Sequence, residues 1–434
     1  MGYKYLALII IALSSNSLAK AQFLMDRVDT TTEIGKGMFA IYQKFDNIRI
    51  SGYIQPQFQV AQEKGIKSFA GGDFNPNVNN RFMLRRGRIR FDYIHFAETK
   101  GPAVQFVFQF DGTERGVAIR DFWGRIFENK YKVFALTAGM FARPFSYELN
   151  LSSSERETPE RGRMSQLLMR TERDLGAMVS YEPRDKTHPL YLLKFDIGLF
   201  NGQGLAATSD FDSHKDLITR LSLKPFRVAD KHFISSGISY LNGGMIQNTR
   251  NINTTRTVND QKMFVLDSSQ VNVGKIAPRN YYGADLQLKF KTGIGFTELR
   301  GEYMTGTQTA TKLSTETPGA LLTGSESYYI RNFDGAYFYL LHNIVNEHHQ
   351  AIIKFDWYDP NSKVRKAEIG ETNANFTQAD IKFATLGFGY VNYINPNLKA
   401  IFWYDIVRNE KTQLPGFMND VKDNVFTCRL QFRF

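Results

Sequence analysis

The sequence predicts an all-β fold, a transmembrane antiparallel β-barrel of 16 strands, and three observations carry that prediction. The chain closes on Thr427-Cys428-Arg429-Leu430-Gln431-Phe432-Arg433-Phe434, where apolar and polar side chains alternate up to an aromatic residue. Strand side chains point to opposite faces with a period of two, so Phe426, Cys428, Leu430, Phe432 and Phe434 share one face and Thr427, Arg429, Gln431 and Arg433 the other. One face suits lipid and the other water, as in the closing strand of a bacterial outer-membrane barrel. About 16 period-two segments recur along the chain, an even number. The connections between them alternate between short and long, the order that short periplasmic turns and long outer loops impose.

The first element in order is not a strand. Leu6 to Leu13 is the one continuous apolar run, far short of the roughly 20 residues that a membrane helix needs. It follows Lys4 and precedes Ala19-Lys20-Ala21, so residues 1–21 read as a secretory signal peptide and the mature chain is expected to begin at Gln22. Residues 22–46 carry mixed charge without a strand pattern and are assigned as a short periplasmic N-terminal segment with no function. Residues 47–434 form the predicted barrel. Export without a helical anchor leaves a soluble exported protein or a barrel, because only helices and closed barrels satisfy the backbone inside lipid. The terminal strand selects the bacterial cell outer membrane.

Composition agrees with such a wall. Thirty-six Phe and 21 Tyr dominate an aromatic content of 14%, while the mean hydropathy stays negative, as expected where residues alternate between lipid and water. Cys428 is the only cysteine, which excludes an intramolecular disulfide and a cysteine-rich metal cluster; it reads as a small lipid-facing residue. The formal charge of +11 falls to about +9 once Lys4 and Lys20 leave with the signal, an excess that suits anionic solutes or lipid. Export and the lack of a basic tail argue against a nucleic-acid partner.

Segments bounded by Gly, Pro, Asn and Asp place strands near 47–59, 81–97, 103–112, 116–128, 131–142, 173–181, 190–200 and 215–225. The second half adds 232–242, 279–290, 294–305, 328–341, 347–358, 380–394, 397–408 and 424–434. Short turns fall at 98–102, 129–130, 182–189, 226–231, 291–293, 343–346 and 395–396. The segments between them, near 60–80, 143–172, 201–214, 243–278, 306–327, 359–379 and 409–423, are long, and only 111–116 is short.

Assuming that the more apolar face meets lipid, the second strand puts Arg85, Gly87, Ile89, Phe91 and Tyr93 outward and Arg86, Arg88, Arg90 and Asp92 inward. Arg85 is then expected on the lipid side near the outer rim, snorkelling to headgroups. The same rule turns Lys194, Asp196, Arg220, Lys224, Asp285, Lys289, Glu298, Arg300, Glu302, Lys354, Asp356, Arg429 and Arg433 toward water. About eleven cations oppose six acids, and a narrow passage with excess positive charge concentrates anions. Strands four, twelve and fourteen do not resolve; Asp121 and Arg125 share a face with Trp123. Most aromatics are assigned to the lipid belt.

The stretches Leu84-Arg85-Arg86-Gly87-Arg88-Ile89, Gly139-Met140-Phe141-Ala142-Arg143-Pro144-Phe145-Ser146 and Arg173-Asp174-Leu175-Gly176 resemble blocks of the phosphate-selective porin O and P family of Gram-negative outer membranes. The resemblance covers most of the mature chain and is strongest from Arg81 to Tyr181 and at the end. Met140 and Ala142 stand where the family often has Gln and Lys. The resemblance implies a homotrimeric 16-stranded barrel in outer-membrane lipid, through which phosphate, polyphosphate or related small anions diffuse passively. It assigns the anion pathway to Arg85, Arg86 and Arg88; strand facing adds Arg90, and loop position adds Arg143. In general porins the third outer loop folds into the pore and narrows it, a resemblance that makes the segment from Arg143 to Asp174 the candidate constriction, with Arg156, Arg161 and Arg163 on it. Its arginines are matched by Glu148, Glu155, Glu157, Glu160, Glu172 and Asp174, and neighbours such as Glu155-Arg156 and Glu160-Arg161 read equally as structural pairs.

Three alternatives stand beside this reading. A general or sugar-conducting diffusion porin would use lumen aromatics for stacking. A structural or adhesive barrel would need no open pore. An outer-membrane enzyme finds little support: His342, His348 and His349 lack a Ser/His/acid spacing, and Gly198 to Gly204 holds a Gly-x-Gly with no helix after it. No cofactor and no metal are expected.

Overall fold

The computed structural model describes residues 47–97, 101–207 and 209–434, and in it sixteen antiparallel strands close into a barrel. The expected signal peptide at 1–21 and the segment 22–46 lie outside the described residues. The first nine strands are β1 (Ile48–Ala61), β2 (Asn80–Phe96), β3 (Pro102–Thr113), β4 (Gly116–Phe127), β5 (Phe134–Ala142), β6 (Arg173–Tyr181), β7 (Leu193–Phe200), β8 (Asp216–Ala229) and β9 (His232–Ile246). A hairpin of β10 (Ile252–Val258) and β11 (Gln261–Asp267) follows. The wall then resumes with β12 (Ile276–Thr292), β13 (Gly295–Ala310), β14 (Tyr328–Asn343), β15 (His349–Asp359), β16 (Phe383–Asn395), β17 (Leu398–Asn409) and β18 (Val425–Arg433).

Each wall strand pairs with its sequence neighbour, and β9 pairs directly with β12, from Ile276↔Ile246 to Phe290↔His232. The last strand pairs with the first, from Tyr53↔Arg433 to Ala61↔Val425, so the sheet has no open edge to satisfy in lipid. Short and long connections alternate as the sequence predicts.

The β10–β11 hairpin is absent from the sequence reading, which left 243–278 as loop. Its turn residues Asn259 and Asp260 have positive φ (49° and 61°), the conformation of a tight hairpin turn. β10 is largely polar, and the apolar run Met263 to Leu266 of β11 shows no period of two. β10 runs parallel to the start of β14, and Phe264 of β11 packs on Val364, Ile369, Ala374 and Phe376 in a satellite core under the loops.

The two faces of the wall differ in chemistry. Gln55, Gln57 and Gln59 of β1 are buried while Ile54 and Val60 are exposed, and Thr427, Arg429 and Gln431 of β18 are buried while Leu430 and Phe432 are exposed. Tyr281, Phe333, Tyr337, Tyr339, Tyr358 and Trp403 are exceptions to the lipid-belt assignment: all are buried in one cluster with Phe145, Leu149, Met164 and Leu168. An inward aromatic reads the same as an outward one until the strand's phase is known.

Candidate functional site

Two departures from strict alternation decide which side chains gather inside. On β2, Arg86 and Arg88 are buried and Ile89 is 45% exposed, so even positions face inward. Nearer the start the phase is opposite: Arg81 donates to Gln59 Oε1 from Nε (3.1 Å) and Nη2 (2.9 Å), while Phe82 is 85% exposed. The phase changes between Phe82 and Arg86, and Arg85 turns inward with Arg86. This corrects the expectation that Arg85 faces lipid at the outer rim: its guanidinium lies 2.8 Å from Glu160.

The second departure is a bulge in β4. The register steps from Gln109↔Asp121 to Phe110↔Ile119 and leaves Arg120 as the extra residue. Ile119 is exposed and Asp121 is buried on either side of it. Bulges re-aim side chains in this way. The bulge settles the face of strand four: Asp121 pairs inward with Arg173 at 3.2 Å. Arg120 itself reaches Glu172 and lies 3.6 Å from Asp111. The sequence signal for both slips is a run of two adjacent charges within a strand, Arg85-Arg86 and Arg120-Asp121, where strict alternation would strand one in lipid.

Residues 143–172 carry two short helices, α1 (Tyr147–Asn150) and α2 (Arg163–Leu168). Ser146 caps α1 by accepting from Leu149 N–H and donates its hydroxyl to Glu302 of β13 (2.9 Å). The segment's acids pair with wall strands. Glu157 accepts twice from Arg300 of β13 (2.8 and 2.9 Å), and Glu155 accepts from Arg433 of β18 (2.7 Å). Glu148 accepts the Gly162 N–H and the Tyr339 hydroxyl of β14. Lys399 of β17 donates to the carbonyls of Ser154 and Arg156, each at 2.8 Å. The neighbours Glu155-Arg156 and Glu160-Arg161 therefore do not pair with each other.

Glu160 is the densest of these ties. Arg85 donates from Nε (2.8 Å) and Nη2 (3.1 Å), Arg86 from Nη1 (3.2 Å) and Nη2 (2.7 Å), and Arg429 from Nη2 (2.8 Å). Burial works to raise the Glu160 carboxyl, but the three guanidinium groups hold it well below the usual carboxylate range. With its acids committed to the wall, the segment leaves arginines over. Arg156 is buried, and its guanidinium makes no hydrogen bond or ion pair among the described residues. Burial, then Arg86, lower Arg156 to about 10, so it stays charged at neutral pH.

A cavity of about 680 Å³ opens among these groups. Lys67, Arg85, Arg86, Arg88, Arg120, Arg156, Arg161 and Arg170 line it against Asp73, Asp111, Glu160, Glu172 and Glu316, a net positive lining. Of the residues the sequence singles out, Arg85, Arg86, Arg88, Arg156 and Arg161 meet here. Three do not line it. Arg90 is bound to Asp92 (2.7 Å) and Arg143 donates to the Thr171 carbonyl (2.5 Å). Arg163 stacks on Phe69 and Phe383, with its guanidinium carbon 4.4 and 3.7 Å from the ring centres. Sequence reasoning missed Lys67 and Arg120, and it counted Arg170 only among the arginines of the candidate constriction. Lys67 and Arg170 sit in connections, where no period marks a face.

No protein-family model matches this chain, and no curated protein matches it either. Solved structures do. The trimer form of in-vitro folded OmpT, an outer-membrane protein of Vibrio cholerae, aligns with 89% of this chain and 99% of its own at 8% identity and a TM-score of 0.51. The outer-membrane channel DcaP of Acinetobacter baumannii covers 89% of this chain and 97% of its own, at 10% identity and a TM-score of 0.51. Salmonella typhi OmpF in complex with daunomycin gives the same values. At such identities the likeness shows the fold alone, the closed barrel of Gram-negative outer-membrane porins, and it does not single out the phosphate-selective O and P family.

Proposed function

We propose that this chain is a homotrimeric outer-membrane porin through which small anions, phosphate among them, diffuse passively. Residues 143–172 form its constriction, and the arginine-lined cavity is the solute's main station. The observation that carries the reading is the cavity's charge, eight basic side chains against five acids, with Arg156 left without a partner among the described residues. Guanidinium forks match phosphate oxygens bidentately, and their hydrogen bonds replace lost hydration. Passage needs several weak stations rather than one deep site, and arginines already shared with carboxylates bind a passing anion more weakly than free ones would.

Purified protein in a planar bilayer tests the reading. In a potassium chloride gradient the reversal potential should favour chloride, and added inorganic phosphate should reduce the current. Arg156→Ala should lower the anion preference roughly twofold with the barrel still folded, since no protein partner is lost. Cation preference in the unaltered protein would overturn the proposal.

A further inference from the structure

A second cavity adjoins the arginine-lined one and differs from it in chemistry. It has a volume of about 650 Å³, and Lys67, Phe69 and Glu316 belong to the walls of both. Its remaining lining is largely apolar, with Ile66, Leu167, Leu313, Tyr358, Ile381, Phe383 and Phe417 prominent. Apart from the base of α2 and Tyr358, these side chains come from the long connections after β1, β13, β15 and β17, with Phe383 at the start of β16. The two spaces thus meet on the side of the long connections.

We propose that the preferred solute is an amphipathic organic anion, a phosphate or carboxylate carrying an aromatic or short aliphatic body, with its charge in the arginine-lined cavity and its body in the apolar one. The proposal rests on the anion-porin reading and adds the solute class. Each space is of ordinary size for a small-molecule pocket, and an apolar wall with a few placed charges is the usual composition of such pockets. Bare phosphate would use only the first space. A neutral sugar would leave the net positive charge of the lining, with Arg156 unpartnered among the described residues, without a counter-charge, and a purely apolar molecule would gain nothing from it. Arg163, stacked between Phe69 and Phe383, gives the apolar space a cationic edge that also faces Asp423.

Current block in planar bilayers separates the two claims. Phenyl phosphate should halve the current at about one-tenth the concentration that inorganic phosphate needs, because ring burial adds to the same charge recognition. Benzyl alcohol should not block at comparable concentration. In the double variant Leu167→Ser and Leu313→Ser, the ratio of the two blocking concentrations should fall toward one. Because Leu313 is 65% exposed, Leu313→Ser alone provides a variant that folds if the double one does not. Equal block by both phosphates, or equal block by benzyl alcohol, in a chloride-selective channel would overturn the solute class and leave the porin reading standing. Cation selectivity would instead remove the anion-porin reading.

Discussion

Glu160 concentrates the molecule's electrostatics at a single residue. Its carboxylate binds three arginines whose own charges would otherwise repel, and removing one partner from a buried charge network typically costs about 3–5 kcal/mol. Glu160→Gln should therefore lower the denaturant midpoint of the folded protein and increase channel noise at neutral pH as residues 143–172 loosen. The pH dependence has a definite sign. A carboxyl whose folded pKa is depressed contributes stability that is present above its unfolded value, about 4.5, and lost as pH falls toward the folded value. The unaltered channel should thus become noisy on acidification below about pH 4.5, and the variant should show no such onset. An identical acid onset in the variant would show that another group holds the segment. The arginines of β2 were legible in the sequence, but their carboxylate was not: Glu160 lies 74 and 75 residues from Arg86 and Arg85, and local spacing carries no information at that range.

At the scale of elements, the wall strands were readable because each satisfies a local demand, apolar to lipid and polar to water, every second residue. The β10–β11 hairpin was not, since a strand outside lipid need not alternate and the apolar run of β11 shows no period of two. The bulge at Arg120 is the instructive case. Deleting Arg120 joins outward Ile119 to inward Asp121 and restores strict alternation, so the shortened strand should still fold, read by the heat-dependent shift in electrophoretic mobility. Anion preference should drop roughly twofold, because the cavity loses one of its cations. Failure of the deletion variant to fold would show that the bulge serves the wall rather than the cavity. Glu155, Glu157 and Glu160 carry the same lesson: beside arginines in the chain, they read as local pairs, yet they bind strands β18, β13 and β2 instead, while Glu172 does keep its neighbour Arg173.

At the scale of the whole molecule, closure by β1 and β18 leaves an outer surface of exposed Phe106, Phe108, Phe338, Phe402 and Phe432, which only lipid, detergent or another barrel can cover. For the homotrimer proposed above, light scattering on detergent-purified protein should give three chains per particle, and single insertions should close in three equal conductance steps. One step per insertion would mean that each barrel acts alone. The sequence by itself determined the barrel, its wall strands and the polar and apolar faces of most of them, because lipid and water impose a period-two demand that most wall strands record locally. Only the tertiary structure decided which charges meet. Arg429 reaches Glu160 across 269 residues, and two shifts in strand phase bring Arg85 and Arg120 to the same cavity, because closing a barrel sets distant strands side by side and lets one extra residue redirect a side chain.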